Sequence, residues 1–382
     1  MAVVEKKANS SAPFNAYPFW APRFWTGMIP WTWLYVLASN RFRVAPRRWA
    51  MAISILILST VCWPLAIAQT AIYGRRIRKT KIDLPPIFIL GHWRSGTTLL
   101  HELLTLDDRF ASPTTSEVYI PNYFLVVGTL FSKMFARLLP RHRPMDDVNV
   151  QMESPQEDEW AMCNLGVPSP YLRVLFPDRP APHMEYLELT DLSSCDRHKW
   201  QRSFRQLLQS LTLKYDKRLI LKSPPHMGRL PVLLEMFPEA KFIHVVRDPY
   251  EVFVSTVRMW KSFDESQGLQ PTDEKILEEF VLETHSRLYT SFDTNRGQLD
   301  KNQLVEVRYE DLLASPLDQI RIIYQTLQLG AFDAASDKMQ DYLDRRRDYV
   351  PNRHQFPAEV CQAVTSRWSA QIDRYGYPQR NG

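Results

Sequence analysis

Several function classes are disfavoured by what the sequence lacks. Its four cysteines, Cys62, Cys163, Cys195 and Cys361, stand far apart with no C-x-x-C pair. That argues against a disulfide scaffold and a cysteine zinc site, and it fits a reducing compartment. No sign of charge dominates: the net charge is +5 over 382 residues, with basic residues spread among acids. A dense basic stripe for nucleic acid is missing, although a polyanionic small ligand stays compatible. There is no internal repeat and no low-complexity tract. The only N-x-[ST] acceptor is Asn9. Charge itself is missing from Trp49 to Gly74, a run long enough to cross a bilayer and too deep in the chain for a signal peptide.

What is present divides at residue 82. The region 1–81 joins that charge-free run to the tryptophan-dense FWTGMIPWTWLYVL, and tryptophan prefers the membrane–water interface. Arg41, Arg43, Arg47 and Arg48 flank one side; Arg75, Arg76, Arg78, Lys79 and Lys81 flank the other. Basic flanks on both sides suit a spanning helix and one lying in the headgroups equally. A hydrophobic helix packed on a soluble domain, kinked at Pro64, is the plainer alternative. Residues 82–382 have the pattern of an α/β domain. Apolar runs at 87–91, 219–222, 241–246 and 304–308 read as buried parallel strands, with helices expected at 96–106, 197–215, 249–261, 274–296, 316–328 and 357–375. Strands alternating with helices imply a parallel sheet covered on both faces, with ligands at its carboxyl edge. The proline-rich stretch 111–196 is expected to lie over that edge.

At 91–98, GHWRSGTT comes close to the phosphate loop G-x-x-x-x-G-K-[ST], but Thr97 stands in place of the lysine. A strand entering a glycine loop that opens a helix offers unpaired N–H groups and the positive end of a helix dipole. Ser95, Gly96, Thr97 and Thr98 would line it, with Arg94 supplying the cation. The strand ends LKSPP and VVRDP offer no obvious acidic partner for magnesium, so phosphate would be met by protein cations. A second anion site is expected in KFIHVVRDPYEVFVST, where Arg247 leaves a strand and Ser255 lies on the next helix.

Two anion sites on neighbouring strands suit a nucleotide with phosphates at both ends. Here the chain resembles the sulfotransferases that use 3′-phosphoadenosine 5′-phosphosulfate (PAPS). WRSGTTLL is similar to their 5′-phosphosulfate loop in the arginine-bearing form of tyrosylprotein and many bacterial members; cytosolic members carry lysine at the Arg94 position. FPEAKFIHVVRDPYEVFVST is similar to their 3′-phosphate motif, and LKSPPHMGRLPVLLEMFP and VEVRYEDLLASP to further segments. The resemblance runs from about 85 to 378 and keeps the motif order. It implies a P-loop-like α/β sulfotransferase fold, PAPS as donor, adenosine 3′,5′-bisphosphate as product, and no metal.

The resemblance also implies roles. Arg94 would face the charge that grows on the leaving phosphate, Lys222 would lie beside the transferred sulfuryl group, and Arg353 would touch the 3′-phosphate. Glu117 is the first candidate for the base that takes the acceptor's proton. Its rivals are Glu157, Asp158 and Glu159 in ESPQEDEW, and His101, which reads first as a structural histidine. The membrane-facing N-terminus points to a lipid alcohol as acceptor, such as a glycolipid, hydroxylated isoprenoid quinone or sterol-like alcohol. A carbohydrate or protein tyrosine is the runner-up. The positive run after the apolar stretch favours a cytoplasmic catalytic domain. A magnesium-dependent P-loop kinase or NTPase and a non-catalytic nucleotide sensor remain the competing classes. Oligomeric state is not legible.

Overall fold

The computed structural model describes residues 17–18, 21–128, 151–346 and 356–380. Its centre is a five-stranded parallel sheet in the order β2-β3-β1-β4-β5. The strands are β1 (Ile87–Leu90), β2 (Phe110–Ala111), β3 (Arg218–Lys222), β4 (Lys241–Val246) and β5 (Leu304–Arg308). The central strand β1 sets the register, with Ile87 between Ile220 of β3 and Lys241 of β4. Alternation along these strands sends Phe88, Leu90, Leu221 and Phe242 into one core and Ile87, Ile89, Ile220 and Ile243 into another. Each face is therefore apolar and each must be covered, which makes a three-layer sandwich.

Helices supply both covers. Before the sheet come α1 (Pro30–Ser39) and α2 (Trp49–Lys79); after β1 and β2 come α3 (Thr97–Leu104), α4 (Thr115–Tyr119), α5 (Asp158–Asn164) and α6 (Ser194–Tyr215). Then follow α7 (Leu230–Met236), α8 (Pro249–Gln267), α9 (Glu274–Asn295), α10 (Tyr309–Ala314), α11 (Pro316–Leu327), α12 (Asp333–Asp344) and α13 (Ala358–Arg374). The four strands and six helices expected from periodicity are present within three residues of their expected bounds, except that α8 runs six residues past 261. The expectation omitted β2, which is two residues long, the short helices α4, α5, α7 and α10, and the longer α1 and α12.

The N-terminal segment shares the larger core. Phe24 and Trp25, in the 3-10 turn Phe24–Gly27, are buried with Trp33 and Val36 of α1 and Ala52 and Ile55 of α2. The Phe24 ring stacks on Trp160 of α5 at 4.2 Å, and its N–H donates to Gln267 of α8 at 3.1 Å. Asn164 donates to the Phe24 carbonyl at 2.7 Å and to that of Val118 at 2.8 Å. Gly27 is required here because a Cβ would stand 1.6 Å from the Tyr119 carbonyl oxygen. The long helix α2 runs through Pro64 without interruption.

Candidate active site

The first loop is shaped by its glycines and by a strained arginine. Gly96 has φ +97°, and a Cβ on it would lie 2.1 Å from the Tyr309 ring. Arg94 has φ 66°, the left-handed region that costs a non-glycine residue on the order of 1 kcal/mol or more. The surroundings hold it there. The Ser95 hydroxyl donates to the His92 carbonyl at 2.8 Å, and Thr256 of α8 donates to the Trp93 carbonyl at 3.1 Å. α3 starts at Thr97, so the first N–H groups of that helix face out of the loop without intrahelical partners.

The two candidate anion loops meet. Arg94 Nε donates to Ser255 Oγ at 2.9 Å, and Arg247 donates to the Arg94 carbonyl at 3.0 Å. The Arg247 guanidinium lies over the Tyr309 ring, 4.5 Å from its centroid, and 3.6 Å from Glu251. Asp248 does not pair with its neighbour; it caps α8 by accepting from Tyr250 N at 2.9 Å and pairs with Arg380. Arg94, Ser95, Gly96, Thr97, Thr98, Arg247 and Ser255 are thus brought into one region, while Arg353 lies outside the described residues.

At the end of β3, Lys222 donates to Glu157 Oε1 at 2.7 Å. The lysine side chain is 5% exposed and the glutamate 13%. The other oxygen, Oε2, accepts from the Tyr171 hydroxyl at 2.6 Å, and that hydroxyl accepts from the Trp93 indole at 3.0 Å. A continuous polar chain therefore runs from Lys222 through Glu157 and Tyr171 to the residue before Arg94. Burial and the neighbouring carboxylates Glu157 and Glu159 push the Tyr171 hydroxyl well above its ordinary range, so it stays a donor.

The three consecutive acids of ESPQEDEW have separate environments. Asp158 is fully buried between His226 at 2.8 Å and the Ser223 hydroxyl at 3.0 Å. Glu159 is held by Arg229 at 2.6 and 2.9 Å and by Ser169 at 2.5 Å. Both are committed to joining α5 to the segment after β3, so Glu157 is the member that meets Lys222. His101 is buried against Ser112 at 2.6 Å. Burial, aided by the positive Lys222, lowers its pKa to about 3, so it is neutral at pH 7.

Glu117 is also accounted for. Its Oε2 accepts from Thr114 N at 2.7 Å in a capping box on α4, while Oε1 accepts from Lys214 at 2.6 Å and Tyr215 at 2.7 Å. It is 2% exposed. The loop it caps runs beside the one carrying Glu157: Thr115 N donates to Ser154 O at 2.9 Å and Gln156 N to Pro113 O at 2.8 Å. The signal that could have separated the two glutamates was the T-x-x-E capping spacing at Thr114 and Glu117.

A loop with helix N–H groups, two arginines and a serine can grip a doubly phosphorylated ligand, and an adjacent lysine–carboxylate pair can serve a transfer between oxygens. The sulfotransferase family model matches residues 85–334. The chain belongs to the sulfotransferase family. It is 40% identical over 372 residues, 97% of its own length and 96% of the relative's, to the omega-hydroxy-beta-dihydromenaquinone-9 sulfotransferase Stf3 of Mycobacterium bovis. The Mycobacterium tuberculosis protein of the same name matches equally. Among solved structures, the sulfotransferase STF1 of Mycobacterium tuberculosis superposes with a TM-score of 0.62 at 19% identity, covering 89% of this chain and 90% of that one. STF9 of Mycobacterium avium gives 0.64 at 17% identity over 83% of each. These two share the fold, and the enzyme class follows from family and relatives together.

Proposed function

We propose that this sulfotransferase moves a sulfuryl group from PAPS to the hydroxyl of an isoprenoid-quinone-type lipid, working at a membrane with its catalytic domain in the cytoplasm. The observation that carries the acceptor class is the extent of the match to Stf3. It covers 97% of the chain, so it includes most of the N-terminal segment that the family model, beginning at residue 85, leaves out.

The donor fits the residues present. The amides of Gly96 to Thr98 and the Arg94 guanidinium would hold the 5′-phosphosulfate, with Arg247 and Ser255 at the 3′-phosphate; Ser95 shapes the loop, its N–H and hydroxyl both donating to the His92 carbonyl. The arginine at position 94 aligns the site with the arginine-bearing, tyrosylprotein-like branch of the resemblance. Transfer is an in-line displacement at sulfur: the acceptor oxygen forms the new S–O bond, the bridging oxygen of the phosphate leaves with the electron pair, and the hydroxyl proton must go to a base. Arg94 and Lys222 would face the charge that develops on the bridging oxygen and the sulfuryl group. For the base we put forward Glu157 in place of Glu117, because Glu157 is paired with Lys222, the residue proposed to lie beside the sulfuryl group, whereas Glu117 is tied to the cap of α4 and to Lys214 and Tyr215 of α6. Glu117 then acts as a positioning residue for the Glu157 loop.

Incubating the enzyme with radiolabelled PAPS and an ω-hydroxylated menaquinone, a tyrosine peptide or a soluble disaccharide tests the proposal. Label in the quinone alone is expected. Label confined to the peptide or sugar would replace the acceptor class. Thermal stabilisation by ATP with magnesium but not by adenosine 3′,5′-bisphosphate would replace the donor.

A further inference from the structure

The long apolar helix is fastened to the rest of the fold at its start, in its second half and at its end. Just before it, Ala45 N donates to Leu269 O at 2.9 Å and Arg48 to Glu265 O at 2.7 Å. Trp33 of α1 donates to Ala52 O at 3.0 Å. In its second half the buried Gln69 side chain donates to Pro121 O at 3.2 Å and accepts from Leu125 N at 2.8 Å. Just after it, Gln209 donates to Thr80 O at 2.9 Å. Buried positions recur from Ala52 to Ile77, ~37 Å of helix. A helix held to a folded domain over that length could cross a bilayer only by taking that domain's polar surface into the hydrocarbon.

Its other face is open and apolar. Ile53, Ile57, Val61, Ile67 and Ile72 are 49–69% exposed. Trp31 and Tyr35 of α1 join them at 61% and 70%, with the rings of Trp31 and Trp63 in edge contact at 6.0 Å. The hydroxyls on this face are turned inward: Ser54 donates to Met51 O at 2.8 Å, Thr60 to Leu56 O at 2.8 Å and Thr70 to Ala66 O at 3.0 Å. Such back-bonding spends the donors inside the helix and suits a surface that meets hydrocarbon. The rim is cationic. Arg47, Arg75, Arg78, Lys79 and Lys81 are exposed, and no aspartate or glutamate occurs between Glu5 and Asp83.

From these features we infer that α1 and α2 form a monotopic docking face, on which α2 lies in the plane of an anionic bilayer with its apolar stripe in the acyl boundary and its basic ends among the headgroups. This decides between spanning and in-plane attachment and does not depend on the identity of the acceptor.

The test is vesicle flotation of the full chain with no PAPS or quinone present, so its failure is separate from any failure of the proposed reaction. Binding at least tenfold stronger to phosphatidylglycerol-containing vesicles than to phosphatidylcholine is expected. Ile57→Glu with Val61→Glu, both at solvent-facing positions, should lower it at least tenfold and leave adenosine 3′,5′-bisphosphate affinity unchanged. Undiminished flotation of that double variant would overturn the proposal. So would a dimer in sedimentation velocity that the same variant dissolves, because the face would then bind a second copy. Single cysteines at Arg43 and Asp83, with Cys62 and Cys195 replaced by serine, should both react with an impermeant maleimide from one side of the membrane. Labelling from opposite sides would make α2 a span and the proposal wrong.

Discussion

Glu157→Gln tests the proposed proton-accepting role. The amide keeps the size of the carboxylate but removes its charge and basicity, so a hydroxyl proton has no acceptor and Lys222 loses its anionic partner at 2.7 Å. Positioned general bases contribute about 10²- to 10⁴-fold, or about 3 to 5 kcal/mol of barrier at 1.36 kcal/mol per decade. We expect kcat with an ω-hydroxylated menaquinone to fall within that range. The structural cost must be separated from it. Removing one partner of a buried pair costs about 3–5 kcal/mol in the fully desolvated limit. Because the glutamine can still accept from Lys222 and Glu157 is 13% exposed, the loss here should be well under that limit. Thermal unfolding and titration with adenosine 3′,5′-bisphosphate report whether the variant is folded and binds nucleotide. The comparison is Glu117→Gln, whose carboxylate holds a helix cap and Lys214. With Lys214 one-third exposed, a stability loss of about 1–3 kcal/mol is expected, with kcat per folded molecule lowered less than tenfold. If folded Glu157→Gln keeps kcat within threefold of the parent, the assignment of the base is wrong.

Further outcomes are expected from the same geometry. Arg247→Ala and Ser255→Ala should each weaken adenosine 3′,5′-bisphosphate binding at least tenfold by calorimetry, since a charge-assisted hydrogen bond contributes about 1.5–3 kcal/mol; unchanged affinity would remove them from the nucleotide site. Gly96→Ala should abolish turnover and nucleotide binding, because the added Cβ meets the Tyr309 ring at 2.1 Å in a φ +97° conformation; retained affinity would show the loop to be deformable. Acid should unfold the enzyme early. His92 and His101 have pKa values lowered to about 3 by burial, so the unfolded chain takes up protons below about 6.5 that the native state refuses. Stability is full above that value and falls as pH drops towards 3, by about 2 kcal/mol per histidine at pH 5. Urea midpoints at pH 7.5, 6 and 5 measure this, and a flat profile would contradict it.

Four of the five strands and the two loops that follow β1 and β4 were legible because their signals are local. A buried parallel strand is a continuous apolar run, and GHWRSGTT and VVRDPYEVFVST carry their chemistry within a few residues. Which acid meets Lys222 was not legible, since three adjacent acids in ESPQEDEW differ only in which face of a loop and helix start each occupies. Their partners His226, Arg229 and Lys222 come from a segment more than sixty residues away. Tryptophan density near residue 30 was ambiguous for a similar reason. Trp25 and Trp33 are fully buried while Trp31 is 61% exposed, so one aromatic cluster serves both core and surface. β2 carries too few residues for a period to register.

The contact between Phe24 and Gln267 joins positions 243 residues apart, and it bears on biosynthesis. At about 5–20 residues per second, the ribosome needs roughly 12–50 s to make the second partner after the first has emerged. For most of that interval the charge-free helix lacks Gln209 at its end, the segment just before it lacks Glu265 and Leu269 until the close, and β5 is made later still. Translation order therefore exposes the long charge-free run before the residues that seat it are made. A surface that shelters this segment during synthesis would set the yield of folded enzyme as much as the stability of the finished fold.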